Sequence, residues 1–357
     1  MTSEKKTSRI TAAKLAAVIL VFLIAFMLPG CSGTGSGGSS EKPGTVVAEN
    51  DDSITIVDQA QREVTVPKKI NSIALSYRVV IRPIISLGEG GKIKGCGKTE
   101  DFLFELQPSL KKAVDVGKGV ADLEALAELE PDVFFNKGND PETLDSVEKL
   151  GIPAIGLSFE DTEEMITALD ILGKVLGKQK KAEKLISYYD NKIAADEKAA
   201  EKIKDKKTAI VMGSSIGKVA DGTMLQGSMI RTAGGVNAAE DLEATELWPT
   251  AGTEQIFDWD PDFIFISGSE GANYTAEDIY KKKAWSEMKA VKNRHVYVMP
   301  AQKDSWEFPG VVSALGIDYM ISKMYPDRMP SEKLQKNVDE FYKLSYGRTF
   351  APEQLGY

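Results

Sequence analysis

The chain has 357 residues, a formal net charge of −9, 42% hydrophobic residues, one His and two Cys. That length supplies enough core for two lobes, and acidity without a basic, aromatic-laced stripe argues against a nucleic-acid partner. So few imidazoles and thiols cannot build a site for a bare transition metal.

Residues 1–30 form an export leader. Lys5, Lys6, Arg9 and Lys14 make a basic start, Leu15 to Leu28 is apolar almost throughout, and Leu28-Pro29-Gly30-Cys31 closes it. An apolar run this short, ending on small residues, is expected to be cleaved and not to remain as a membrane helix. The ending resembles a bacterial lipoprotein box, although Pro29 is uncommon there. The resemblance implies a lipid on Cys31, leaves Cys96 without a disulfide partner, and places the protein on the outer face of the cell membrane or in the periplasm. An ordinary signal peptide with an incidental Cys is the alternative. Residues 31–51 are Gly/Ser-rich and read as a flexible tether. The chain's −9 less the leader's +3 leaves −12 for the mature part.

Strands and helices then alternate. Residues 54–57 and 63–66 suit a hairpin, 73–76 a strand, Tyr77-Arg78 a loop, and 79–87 a helix ended by Gly88. Strands are expected at 93–95, 133–135 and 152–157. A helix over 162–176 is followed, after Gly177, by a long one over 179–205, whose stripe Ala182, Leu185, Ile186, Tyr189 and Ile193 is apolar. At ~1.5 Å per residue that helix spans roughly 40 Å, enough to run along two small lobes as a stiff single crossing. Beyond it come a strand at 208–212, a hairpin pairing 218–220 with 223–225, a helix at 228–233, strands at 263–266 and 295–299, a loop over 300–309, and helices at 311–324 and 331–347. Strands joined by helices imply parallel sheets covered on both faces.

One phrase occurs twice. Residues 121–135 read ADLEALAELEPDVFF and residues 252–266 read GTEQIFDWDPDFIFI. Each has a Glu in the first turn of a short amphipathic segment, then Pro-Asp, then strand residues. The backbone dipole favours an acid at that turn, and Pro stops the helix before the strand. The repeat implies two similar lobes, each presenting one carboxylate, Glu124 and Glu254.

The hairpin, the paired units and the long helix together resemble the substrate-binding proteins of bacterial ABC importers for ferric siderophores, haem and vitamin B12, the rigid-helix class. The likeness runs from about residue 52 to 347. It implies an α/β fold of two Rossmann-like lobes with parallel-rich central sheets, joined by a single long α-helix, with the ligand cleft between them. The lobes are expected at 52–178 and 206–330, the interlobe helix at 179–205, and a closing helix and tail at 331–357. The resemblance also implies that Glu124 and Glu254 dock on arginines of a permease served by ATPase subunits. The carboxylates can form short bidentate bonds with such arginines. As ordinary helix-start acids they would contribute only a few tenths of a kcal/mol.

In that family the ligand sits at the carboxyl ends of strands, as in open parallel sheets generally. The corresponding first-lobe residues are Tyr77, Arg78, Asn136 and Lys137; the second-lobe residues are Ser214, Ser215, Trp248, Ser269, Lys303 and Trp306. Aromatic faces and cations suit a bulky anionic chelate such as an iron siderophore; haem or a corrinoid is the alternative. Trp248 reads equally well as a lobe-edge aromatic, and Lys137 and Lys303 read as solvated. No cofactor is implied.

Two further motifs compete. Gly213-Ser214-Ser215-Ile216-Gly217 matches a nucleophile elbow, with His295 downstream, and would make Ser215 a hydrolase nucleophile. That chemistry needs a helix to begin at the Ser, where the sequence instead suggests a hairpin. Gly97-Lys98-Thr99 echoes a phosphate loop but has Lys92 where the first Gly belongs, so it reads as a turn.

Overall fold

The computed structural model describes residues 39–242, 247–268 and 271–357. The leader and Cys31 lie outside the described residues, as does Ser269.

The described chain opens with an antiparallel sheet of β1 (Val46–Glu49), β2 (Ser53–Val57) and β3 (Glu63–Pro67). Strand β1 falls inside the stretch expected to be tether. Its Val46 pairs with Ile56, and Gly44, at φ 87°, donates its N–H to the Val57 carbonyl at 2.7 Å. Ordered pairing therefore begins well before residue 52.

Two four-stranded parallel sheets follow, built on one plan. The first contains β4 (Ile73–Leu75), β5 (Ile93–Cys96), β6 (Val133–Lys137) and β7 (Ala154–Leu157), in the spatial order β5-β4-β6-β7. The second contains β8 (Thr208–Met212), β9 (Val236–Asn237), β10 (Phe263–Ile266) and β11 (Val296–Val298), in the matching order β9-β8-β10-β11. The strands β4, β7 and β10 are buried at every residue, as expected where helices cover both faces. The fold is the two-lobed α/β arrangement the sequence implied.

The helix after β4 begins as a single 3₁₀ turn at Arg78–Val80 and continues over Ile81–Ser86. Pro83 is tolerated because its missing N–H falls in the first turn, where no intrahelical acceptor exists. The long helix covers Gln179–Ala200, shorter than the sequence suggested. Its 22 residues span about 33 Å. The hairpin expected at 218–225 does not form. Val219 pairs back with Met212 and Lys218 with Thr250. Buried Asp221 instead accepts hydrogen bonds from the Thr223 and Met224 amides, at 2.9 and 3.2 Å, and turns the chain into a helix at Leu225–Thr232.

The chain crosses between lobes on the long helix, yet that helix is not the only element touching both. Helix Ser331–Tyr346 packs on Ser313–Met324 of the second lobe and on Ile81–Ser86 of the first. One apolar core runs through the junction, including Leu75 and Phe135, Val211 and Phe265, and Leu185 and Tyr189 of the long helix. A buried polar pin adds to it. Lys192 donates to Asp196 at 2.7 Å and Asp318 at 2.5 Å, and Asn337 donates to the other Asp318 oxygen at 2.8 Å, tying three helices. A shared core resists shear, because interiors do not deform continuously.

Candidate functional site

The two sequence repeats are two copies of one device. Helix Leu123–Leu129 ends on Glu130 at φ 46°, and helix Thr253–Trp259 ends on Asp260 at φ 39°. Left-handed backbone at both ends lets the following Pro turn the chain directly into the strand. The Asp after each Pro then clamps the start of the neighbouring strand. Asp132 accepts from the Asn71 and Ser72 amides at 2.7 and 2.9 Å, just before β4. Asp262 accepts from the Thr208 amide at 2.9 Å, at the start of β8.

Each helix runs back from its Pro-Asp clamp, so Glu124 and Glu254 stand on the carboxyl-end side of their own sheets. Both are exposed, and neither has an ion-pair partner among the described residues. Neither is spent as a cap. Asp122 caps the first helix, accepting from the Glu124 and Ala125 amides at 3.1 and 3.0 Å, while Gly252 leaves the second without a side-chain cap.

The first-lobe loops gather positive charge beyond β4 and β5. The Tyr77 ring is buried against Phe159, with Lys137 5.5 Å above its centroid. Burial, then Glu160 and Glu164, push its phenol above the ordinary range. Half-buried Arg78 reaches Glu100 at 3.2 Å. The Gly119 amide donates to the Ser76 carbonyl at 3.1 Å, which brings exposed Lys118 to the same end. Asn136 lies underneath. It is 0% exposed, accepts from the Ser76 hydroxyl at 2.6 Å and donates to Asp140 at 2.9 Å. Its amide thus braces β6 against β4 and is closed off from solvent.

Loops of the second lobe meet the first. Arg82 is nearly buried, lies 4.8 Å over the Phe308 ring, and donates through Nε to fully buried Asp304 at 2.6 Å. Burial raises the Asp304 carboxyl above its usual range, and Arg82 opposes that shift. Lys303, expected in solvent or on ligand, is paired with Glu105 and lies over the Phe102 and Phe350 rings at 5.9 and 5.4 Å. Trp306, expected to face a ligand, is enclosed as well. It is 0% exposed, its indole N–H donates to the Tyr342 hydroxyl at 3.0 Å, and its ring packs on Tyr319 and Tyr357. Trp248 adopts φ 57° and lies flat on Gly213, where a Cβ would come within 2.7 Å of the indole. Ser214 is exposed beside it and Ser215 is half-buried. Sequence reasoning missed Arg82, Glu100 and Asp304, whose pairings join residues far apart in the chain.

The geometry overturns the hydrolase alternative. No helix begins at Ser215: the Lys218 amide donates to the Ser215 carbonyl at 3.1 Å and the Gly213 amide to the Lys218 carbonyl at 2.8 Å, closing a tight turn. His295 lies at the other end of the sheet, stacked 4.3 Å from Phe263, with Nδ1 3.2 Å from the Asp262 carbonyl. A base there cannot serve a nucleophile beyond β8. Gly97 to Thr99 form a loop against the Gly117 carbonyl, and the helix after it, Asp101–Leu106, starts past Thr99 and has only six residues. Among the described residues no group of His, Cys, Asp and Glu could hold a metal ion, and no helix is long and apolar enough to cross a membrane.

The chain is similar to known binding proteins over most of its length. The iron-uptake system-binding protein of Bacillus subtilis is 27% identical over 80% of this chain and 90% of its own. The molybdate-binding protein of Haemophilus influenzae is 22% identical over 84% of this chain and 92% of its own. Among solved structures, a periplasmic solute binding protein from Veillonella parvula superposes with a TM-score of 0.75 at 27% identity, over 84% of this chain and 94% of that one. The model of the periplasmic binding protein family matches residues 84–303. Two equivalent parallel sheets whose carboxyl-end loops meet, and that match over most of both, make this chain a member of the periplasmic binding protein family.

Proposed function

We propose that the protein is the extracytoplasmic substrate-binding component of an ABC importer, and that its cargo is an anionic metal chelate, in the first place an iron–siderophore complex. It performs no chemistry on the cargo. The observation that carries the ligand class is the run of cations at the carboxyl ends of the first sheet, Arg78, Lys98, Lys118 and Lys137, beside the buried Tyr77 ring, in a chain of net charge −9. Of these, exposed Lys98, Lys118 and Lys137 can raise the local concentration of anions at that end. With no group of metal ligands among the described residues, the protein would take iron already wrapped in a chelator and touch mainly the organic shell. The names of the relatives support this class, since one serves iron uptake and another binds the oxyanion molybdate.

Delivery would use Glu124 and Glu254. Exposed, without an ion-pair partner among the described residues and set in equivalent units, they suit two arginine clusters on the permease, which an ATPase subunit drives. A lipid on Cys31 would hold the protein at the membrane.

Titration of the purified protein with ferric citrate, ferrichrome, haemin and molybdate, read by Trp fluorescence, tests the cargo reading. Saturable quenching by an iron chelate at micromolar concentration is expected. Saturation by haemin alone would move the assignment to haem; a flat response to all four would remove it.

A further inference from the structure

We propose that Glu100 is a built-in competitor for the cargo: its carboxylate occupies the fork of Arg78 and Arg82, and an anionic ligand enters by displacing it. The proposal deepens the chelate-binding reading and rests on it.

Glu100 follows β5 and occupies the N-cap position of helix Asp101–Leu106, yet its side chain does not cap that helix. The carboxylate turns instead to the arginines. One oxygen lies 3.2 Å from Arg78 Nη1, and the other lies 3.8 Å from Arg82 Nη2 and accepts from the Thr99 hydroxyl at 3.1 Å. A carboxylate facing two guanidinium groups takes the position that a carboxylate or oxyanion of a ligand would take.

The two arginines are not equivalent. Arg82 is held by Asp304, which is fully buried and cannot leave without stranding a charge. Arg78 has Glu100 as its carboxylate partner among the described residues, and the Glu100 side chain is 41% exposed. Rotation of Glu100 into water therefore costs little, and it uncovers one net positive charge next to exposed Lys98. A neutral ligand gains nothing from that exchange, whereas an anion replaces one ion pair by another. Glu100 thus sets both a threshold and a preference: weakly charged anions fail to displace it, and multiply charged chelates succeed.

The test compares wild type with Glu100→Gln against ferric citrate, an anionic chelate, and ferrichrome, a neutral one, by Trp quenching. Removing the competing charge is expected to tighten ferric citrate about fivefold, the range of a half-exposed ion pair, and to leave ferrichrome unchanged. The gain should vanish in Arg78→Gln/Glu100→Gln, because the site that Glu100 guards is then gone. Equal changes for both chelates, or no gain for ferric citrate, would overturn the proposal. A wild-type protein that bound neither chelate would instead bring down the chelate-binding reading, and the competitor role with it.

Discussion

Removing one member of the Arg82–Asp304 pair should loosen the junction between the lobes. The pair joins a first-lobe helix to a second-lobe loop at 2.6 Å, with side-chain exposures of 10% and 0%. Two unit charges about 4 Å apart attract by roughly 4 kcal/mol at an effective dielectric of ~20, and breaking a buried pair typically costs about 3–5 kcal/mol. The two single variants should differ. In Asp304→Ala the stranded Arg82 still has Glu100 at 3.8 Å, which places the loss near the lower figure. Arg82→Ala strands a carboxylate with no solvent exposure and removes the guanidinium that lies over the Phe308 ring, which places it near the upper one. For a chain of this size each kcal/mol lowers Tm by about 2 °C, so losses of roughly 6–10 °C are expected. Thermal unfolding followed by circular dichroism measures them. The Arg82→Ala loss should shrink as pH falls, because burial already raises the Asp304 carboxyl and the stranded group can take up a proton, and Arg82→Met/Asp304→Leu should recover most of the stability. If both single variants melted within 1 °C of wild type, the pair would be no more than a surface contact and the argument for a locked junction would fail.

Other outcomes follow from the same geometry. Glu124→Ala/Glu254→Ala should abolish cargo uptake by cells while leaving solution affinity unchanged; a weakened affinity would mean that the acids serve the cleft. Trp306→Phe should cost about 1–2 kcal/mol in urea unfolding through its lost bond to Tyr342, with no change in chelate affinity. A drop in affinity would return Trp306 to the ligand. Burial, opposed by Lys192, raises the Asp318 carboxyl from 3.8 to about 6. Between those values the folded state holds a proton that the unfolded chain has released. This contribution to stability is complete below pH 3.8 and lost as pH rises through about 6. Asp318→Asn should therefore lack that part of the wild-type decline when urea midpoints are compared from pH 4 to 7, and parallel curves would contradict it.

Local signals were strong where they act over a few residues. The Glu…Pro-Asp repeat forecast two equivalent helix–strand units, because capping, a left-handed helix end and a proline stop are decided by adjacent backbone. Apolar runs such as FIFI and AIGL gave buried parallel strands. The same signals erred where a competing local bond prevailed: Asp221 turned an expected hairpin into a helix start, and Val46 drew part of the tether into a sheet.

The sequence by itself determined two parallel lobes, a long helix between them and a matched pair of exposed acids, since hydrophobic period and helix-end chemistry are written into neighbouring residues. Only the tertiary structure decided which charges are already spent. Arg82 finds Asp304 at a separation of 222 residues, and Lys303 finds Glu105 at 198. Long cationic side chains look alike in sequence, and whether one faces solvent, a ligand or a carboxylate depends on what the whole fold packs beside it.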